Sequence, residues 1–486
     1  MEPIRLLSRE QMEQIDMAAR EILARTGMIV RSQAALELLA KFGCEVDRPN
    51  ERVRFPRDLT AHVVEKMRQS HLRPSQPERM PVRYSHVRFK PTPHQVHQDF
   101  TVSAGGFVPF IYDLDGQRRR ANGQDVLCSI NMVNHLGQIN LTGLPVSDQD
   151  VPPDHRPVLM ACQLARYTRK LGGIETFSLR DVRYIHELAM IVAGSEQEFR
   201  RNPRIVGYAE VRSPLCFDRN MIDIFMEYVR MGIPQTVDTM PCGGTTAPIT
   251  LAGILALGAA ETIAPMALAY AVRDDAIVGM DINPSYADMS SGLYRYSGSE
   301  RLRLLMARIQ LLSEYYGCPT GVHGGKTDGC FLNEQAGAEK MSSMLLAVLA
   351  GAVGFGTVGA IENAVTFSPT QLVLDDAMAG YVRHAIKPVE VNAQTLATEL
   401  IESVGPGGNF LSHDNTADNF RSELLLSSLF PAHAWEAAHS HPELHDATRH
   451  AAEMARALWQ PPEAPVLSDA QLKAVDELET RYEREN

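Results

Sequence analysis

MPCGGTTAPITLAGILALGAAETIA occupies residues 240–264, and its reading decides the fold. Between Ala247 and Val272 the sole formal charge is Glu261. On length alone an apolar run of that size resembles a membrane span. Glu261 and Pro265 interrupt it, however, and no Lys/Arg clusters flank it as anchors would. A second apolar stretch, 344–361, carries glycines at 351, 354, 356 and 359, which break a single helix into a helix followed by extended chain. Parallel α/β folds bury helices and strands on several faces and produce the same continuous apolar runs. Both stretches therefore read as buried core.

Composition agrees with a large globular chain. With 486 residues, 44% hydrophobic and 22% charged, the sequence is long enough for one domain of about 250 residues or more plus additions, or for two or three smaller domains, and it is not disordered in composition. A net charge of -12 argues against a general nucleic-acid binder or a protein of anionic membrane surfaces. The first residues, MEPIRLLSREQMEQIDM, lack the apolar core and cleavage site of a secretory signal. Seven scattered cysteines without repeated spacing read as free thiols of a reducing compartment, so a cytoplasmic location is expected.

The chain has two textures. Residues 9–26 and 32–42 read as amphipathic helices separated by Gly27, and CEVDRPNERVRFP (44–56) as a hairpin turning at Pro49–Asn50. Residues 59–68 add a helix. These elements make an N-terminal α/β cap over 1–81. From about residue 100, short apolar segments (139–144, 171–177, 205–211, 235–239, 276–281, 320–323, 353–358) alternate with helical ones (157–169, 179–192, 220–231, 249–264, 298–316, 336–350). Such alternation predicts a parallel sheet, and seven or more units without an opening nucleotide fingerprint predict a (β/α)8 TIM barrel over 82–458. A C-terminal helical extension, ending in a tail helix within 459–486, completes the layout, and it packs on the barrel or on a neighbouring subunit.

In a barrel, chemistry sits where strands end. Those ends carry YAEVRSPLC (208–216), VDTMPCGGTTAP (237–248), GMDINPSYADM (279–289), GVHGGKTDGC (321–330) and VGAIENAVTFSP (358–369), each passing from apolar residues into Gly, Pro or acid. Gly243 and Gly244 would let the backbone approach a ligand, with Thr245 or Thr246 capping the next helix; a plain packing turn is the competing reading.

At this point the residues carry a resemblance. PCGGTTAPITLAGILALGAAETIA resembles the hallmark segment of the trimethylamine methyltransferase family, which includes glycine betaine methyltransferases. Four further segments are similar to family segments in the same order: 14–47, AGGFVPFIYDLDGQRRRANGQDV (104–126), DGCFLNEQAGAEK (328–340) and VGPGGNFLSHDNTADNF (404–420). The resemblance implies a TIM barrel that removes a methyl group from a methylated amine and passes it to the Co(I) corrinoid (cobalamin) of a separate small protein, with no cofactor held tightly on this chain and no metal. A homo-oligomer is also expected. Trimethylamine-specific members carry pyrrolysine and this sequence has none, which points to the branch acting on quaternary amines such as glycine betaine. Lys326 lies in the loop where the pyrrolysine counterpart is sought.

Chemistry favours that branch. A quaternary ammonium already has a neutral amine as its leaving group, so the protein's task is to position and desolvate a permanent cation. Aromatic faces and carboxylates suit such a cation, each aromatic contact being worth roughly 0.5–2 kcal/mol. The candidates are Phe107, Phe110, Tyr112, Tyr208, Tyr294, Tyr296 and Phe355, with Glu210, Asp238, Asp281 and Glu362 as acids. For a betaine carboxylate the candidates are His323, Gly324 and the neighbouring glycine amides, and Lys326. His323, Glu210 and Asp238 are the catalytic candidates.

Other readings compete. Cys318, His323 and Cys330 form C-x4-H-x6-C, a spacing that fits no standard zinc motif. GFGTVG (354–359) matches G-x-G-x-x-G, but follows a helix-like segment and leads into extended chain, the reverse of the dinucleotide order. The five histidines between 433 and 450 repeat no ligand spacing. An alternative function is a methylated-amine binding protein of the same fold, or a demethylase that uses a folate acceptor in place of the corrinoid.

Overall fold

The computed structural model describes residues 1–71, 94–201, 209–441 and 446–485. Its longest helix, Leu251–Val272, is the apolar run, and every residue from Ile254 to Tyr270 is buried. By length and composition this helix is able to cross a membrane, yet 83% of its most apolar window lies inside the fold. The cap helices Arg9–Arg25, Gln33–Lys41 and Arg57–His71 cover one side, and strands Gln235–Thr239 and Val278–Met280 lie on the other. A helix between two layers has no solvent face, so it lacks a polar stripe. Its one charge, Glu261, is fully buried and accepts hydrogen bonds from Ser213 Oγ at 2.7 Å, the Leu215 amide at 2.8 Å and Thr239 Oγ1. Burial raises its pKa, and these donors oppose the rise.

One expectation fails here. The helix starts at Leu251 after Thr250, with no side-chain cap, and continues past Pro265 to Val272. Thr245 Oγ1 instead donates to the Cys242 carbonyl at 3.3 Å, and Thr246 Oγ1 accepts from the Cys242 amide at 3.0 Å. Both threonines close their own loop, too far upstream to reach the helix.

In the cap, strands Glu45–Asp47 and Arg52–Arg54 pair antiparallel as the expected hairpin. Strand Met28–Val30 adds to it and pairs in parallel with Cys216–Phe217 of the main body. Asp16 accepts from Tyr315 and Tyr316 at 3.1 and 2.9 Å, sewing the first helix to the helix that follows Ser299. At the other end, helix Asp469–Arg484 packs on helices Arg156–Tyr167 and Leu179–Ala193, with Tyr482 Oη donating to Asp181 at 3.0 Å.

The main body is mixed α/β with parallel strands in sequence order. Gly354–Val358 pairs with Thr101–Ala104, which pairs with Leu141–Thr142, and single bridges add Leu171 and Val322 at the two ends. Ala209–Val211, Gln235–Thr239 and Val278–Met280 form a second parallel run. Thr101–Ala104 had no counterpart among the expected strands, and two expected strands, 171–177 and 320–323, shrink to single bridges. Glycine explains the shortening: a Cβ on Gly172 would lie 3.0 Å from the Thr142 carbonyl, and one on Gly325 would lie 2.7 Å from the Val358 amide. Segment 354–359 is itself a strand with a bend at its end, which removes the dinucleotide reading.

The two runs face each other between Asp281 and Thr320, where no ladder is formed among the described residues. Arg308, fully buried, spans that seam. Its guanidinium donates to Asp281 Oδ1 at 2.6 Å and to the carbonyls of Ile282 and Gly321, while Thr320 Oγ1 donates to the same Asp281 oxygen at 2.9 Å. Arg308→Met strands a carboxylate in the interior and is expected to cost about 3–5 kcal/mol, read as a lower urea midpoint. Adding Asp281→Leu is expected to restore part of the loss, and an unchanged midpoint for the single variant would show that the seam holds without the arginine.

Candidate functional site

The strand ends of the second run bring acids together. Asp238 sits opposite Glu210 in the ladder, and Asn283 Nδ2 donates to both Asp238 oxygens at 2.9 Å and to Asp281 Oδ2 at 3.3 Å. Burial first, then the charges of Asp281 and Glu210, pushes the Asp238 carboxyl well above the ordinary carboxylate range; Asn283 and Arg308 oppose the shift. Asp281 already has Arg308 as a counter-charge, whereas Asp238 has an amide.

Aromatic rings and two bases adjoin the acids. Tyr294 Oη donates to the Asn283 carbonyl at 2.6 Å, and its ring lies 4.8 Å from that of Tyr296. The Lys326 ammonium stands over the Tyr296 ring, 3.8 Å from its centroid. The His323 ring is 6.5 Å from Tyr296, with Nδ1 3.4 Å from Thr357 Oγ1. Thr357 has φ +66°, an outlier for a β-branched residue, at the end of the last strand. The loops are tied to one another: Asp328 accepts from the Tyr296 amide at 2.6 Å and from Arg295 at 3.2 Å.

Behind the 323–326 loop, Lys340 and Asp375 form a fully buried ion pair at 2.7 Å. Lys340 Nζ also donates to the Gly325 carbonyl at 2.5 Å, and Asp375 accepts from the Gly359 amide at 2.6 Å and from Gln371 at 2.8 Å. Every charge in this group is paired and hydrogen-bonded, so it serves to hold the loop.

The first run ends differently. Gly105, Gly106, Gly143 and Gly173, with Phe107, Leu144, Ile174 and Glu175, line a shallow depression. A Cβ on Gly143 would lie 2.9 Å from the Gly173 carbonyl, so backbone meets backbone there. Phe107 has φ +52° and lies 6.2 Å from the ring of Phe177.

Glu210, Asp238, Asp281, Tyr294, Tyr296, His323 and Lys326 thus converge. Other candidates lie elsewhere. Phe110 and Tyr112 belong to a separate small sheet, with Glu362 just past its strand Ala360–Ile361, and Arg118 covers the Phe110 ring at 3.8 Å and pairs with Glu362 at 2.7 Å. Phe355 stacks on Phe100 at 5.4 Å within the apolar core. Tyr208 falls outside the described residues. Gly243 and Gly244 serve packing: a Cβ would lie 2.7 Å from Ile254 Cδ1 at the first and 2.6 Å from Met289 Cε at the second. Gly324 is likewise tight against Phe355, at 3.0 Å. The zinc spacing also comes apart. Cys318 donates to Met67 Sδ at 3.5 Å on the cap side, its thiol pushed up to about 12 by burial, while Cys330 is exposed. Among the described residues no group of three His, Cys, Asp or Glu is placed to hold a metal.

Sequence reasoning missed Asn283, Thr357, Arg301 and Arg308. The arginines had a signal. In SERLRLLMARIQ (299–310), positions 301, 304, 305 and 308 share the inward stripe, and a charge repeated on an apolar stripe marks a buried polar task.

Comparison with known proteins gives a family. The profile described as trimethylamine methyltransferase (MTTB) matches residues 1–485. The glycine betaine methyltransferase of Desulfitobacterium hafniense (strain Y51) is 27% identical over 438 residues, 89% of this chain and 88% of that protein. The trimethylamine methyltransferase MttB of D. hafniense (strain DSM 10664 / DCB-2) is 27% identical over 416 residues, 86% of this chain and 82% of that one. Among solved structures, the Methanosarcina barkeri monomethylamine methyltransferase (MtmB) aligns over 96% of this chain and 94% of its own, at 12% identity and a TM-score of 0.44. The chain belongs to the trimethylamine methyltransferase family.

Proposed function

We propose that this protein transfers a methyl group from a quaternary amine, glycine betaine or a similar betaine, to the Co(I) corrinoid of a partner protein in the cytoplasm, and that its parallel segments close into a (β/α)8 barrel whose carboxyl-end rim is the site. The observation that carries the substrate class is the Lys326 ammonium on the Tyr296 ring, beside Asp238 and His323. An aromatic face here already carries an alkylammonium, and among the described residues no ion pair is made by the Asp238 carboxyl, which supports a cationic substrate. Seven free cysteines, six of them buried, support a reducing setting.

In this reading the chain's own residues do positional work. Tyr296 and Tyr294 offer aromatic faces to the ammonium, and Asp238 and Glu210 supply negative charge. His323 borders the same space. When the partner docks, its corrinoid supplies the nucleophile. The glycine side of the rim (105, 106, 143, 173), with Phe107, Leu144, Ile174 and Glu175 beside the glycines, is the proposed face for a broad flat group. The family matches support methyl transfer as the activity.

A second copy of the chain is the proposed cover for residues 387–441. The four short helices of this segment contribute no buried residue, and Leu411 and Trp435 are 81% and 75% exposed. Helices this short do not persist alone in water. A permanent cover is required, and a corrinoid protein that must dissociate for recycling does not provide one.

Three outcomes are expected. Incubated with cob(I)alamin and glycine betaine, the protein should yield dimethylglycine by mass spectrometry while cob(I)alamin absorbance falls. Binding without turnover would favour the binding-protein alternative, and turnover with a folate acceptor alone would favour the other. A cation binds the ionised form of Asp238, whose pKa is raised in the folded protein. Affinity for tetramethylammonium should therefore increase as pH rises through that elevated value, above the usual aspartate range near about 4. Asp238→Asn should flatten the profile, and a flat wild-type profile would remove Asp238 from the site. Light scattering should give a mass of two chains or more, with Leu411→Asp/Leu426→Asp shifting it toward one. A monomeric wild type would overturn the oligomer.

A further inference from the structure

Arg301 stands two helical turns before Arg308 on the same inward stripe of helix Ser299–Gln310. This helix follows the loop that carries Tyr294 and Tyr296, and Arg308 near its other end reaches Asp281 and Gly321. Arg301 is only 2% exposed, and its Nε and Nη1 atoms find no hydrogen-bond partner among the described residues. The neighbours that act on its charge are the phenols of Tyr294 and Tyr296 and the carboxyl of Asp328, while Arg308 repels it. Asp328 is already committed to Arg295 and the Tyr296 amide. Burial drives the Arg301 pKa down, yet a guanidinium stays charged in proteins.

A buried cation with unmade hydrogen bonds, beside two site tyrosines, calls for an anion. Both Arg301 and Asp238 act on the Tyr294 phenol, so a cation and a carboxyl lie near the same ring. We propose that Arg301 binds the carboxylate of the substrate, which makes the substrate class N-methylated amino acids in place of simple methylamines. This rests on the methyl-transfer reading and deepens it. A bare tetraalkylammonium would leave the guanidinium unsatisfied, whereas a betaine pairs both charges at once.

The test is equilibrium binding by calorimetry on the full chain, with glycine betaine and tetramethylammonium as probes. Wild type is expected to bind glycine betaine at least 100-fold more tightly. Arg301→Gln should lose at least 100-fold for glycine betaine and keep or improve its affinity for tetramethylammonium, with Arg301→Lys between the two. Equal betaine affinity in wild type and Arg301→Gln would overturn the proposal. Should the variants fail to fold, the wild type decides alone: acetate is expected to compete with glycine betaine and to leave tetramethylammonium binding intact. Tetramethylammonium bound as well as glycine betaine by wild type would sink this inference while the ammonium site stands. Neither probe binding would sink both readings.

Discussion

The structure depends on one guanidinium placed where a sheet is missing. Between Asp281 and Thr320 the neighbouring strands make no ladder, and Arg308 supplies donors to a carboxylate and two carbonyls across the gap. This substitution has an electrostatic consequence. Arg308 pairs with Asp281, whereas Asp238 is held by two amides, the Asn283 side chain and the Thr239 backbone, and burial followed by the charges of Asp281 and Glu210 raises its pKa. A contact that holds the fold together thereby lies next to a carboxyl whose pKa burial has already raised. In a low-dielectric interior such coupling is strong over a few ångströms.

Three buried cations show how structural and ligand-directed charges differ. Lys340 and Arg308 each have a carboxylate and at least one carbonyl in reach. Arg301, on the same helix as Arg308 and equally enclosed, has the Asp328 carboxyl near it, but its Nε and Nη1 make no hydrogen bond among the described residues. Burial alone does not separate these roles, since all three side chains are inside. The degree to which hydrogen-bonding capacity is met does: among the described residues Arg308 leaves Nε unpaired, whereas Arg301 leaves both Nε and Nη1.

Much of this was legible wherever local pattern and tertiary environment agree. A helix apolar all round required two packing layers, and 251–272 has them. The hairpin at 45–54 and the strand at 235–239 follow from alternation and turn chemistry. Where a residue's role depends on a distant partner, local pattern misled. Gly243 and Gly244 looked like backbone opened for a ligand, but Ile254 and Met289 fill the space. Phe355 looked like a cage wall, but Phe100 lies against it. Thr101–Ala104 escaped because four residues, two of them hydroxylated, carry no apolar run, although both faces are buried. Arg301 was passed over because an arginine in a helix ordinarily faces water.

The two halves of the rim divide one physical problem. Holding a permanent cation away from water takes polarised groups close by, and these crowd the ends of 209–211, 235–239 and 278–280. Leaving one methyl exposed to a bulky reactant takes the opposite, few charged groups, and the depression at the ends of 101–104, 141–142 and the Leu171 segment combines four glycines with Phe107, Leu144, Ile174 and one acid, Glu175. Neither half alone serves the proposed reaction. A rim charged throughout would obstruct the acceptor, and a rim of glycine throughout would leave the ammonium to water. The His323–Lys326 loop lies between them, anchored from behind by Lys340 and Asp375 and bordered by the strained Thr357. A loop held that firmly keeps its side chains in place, the preorganisation that the proposed transfer requires.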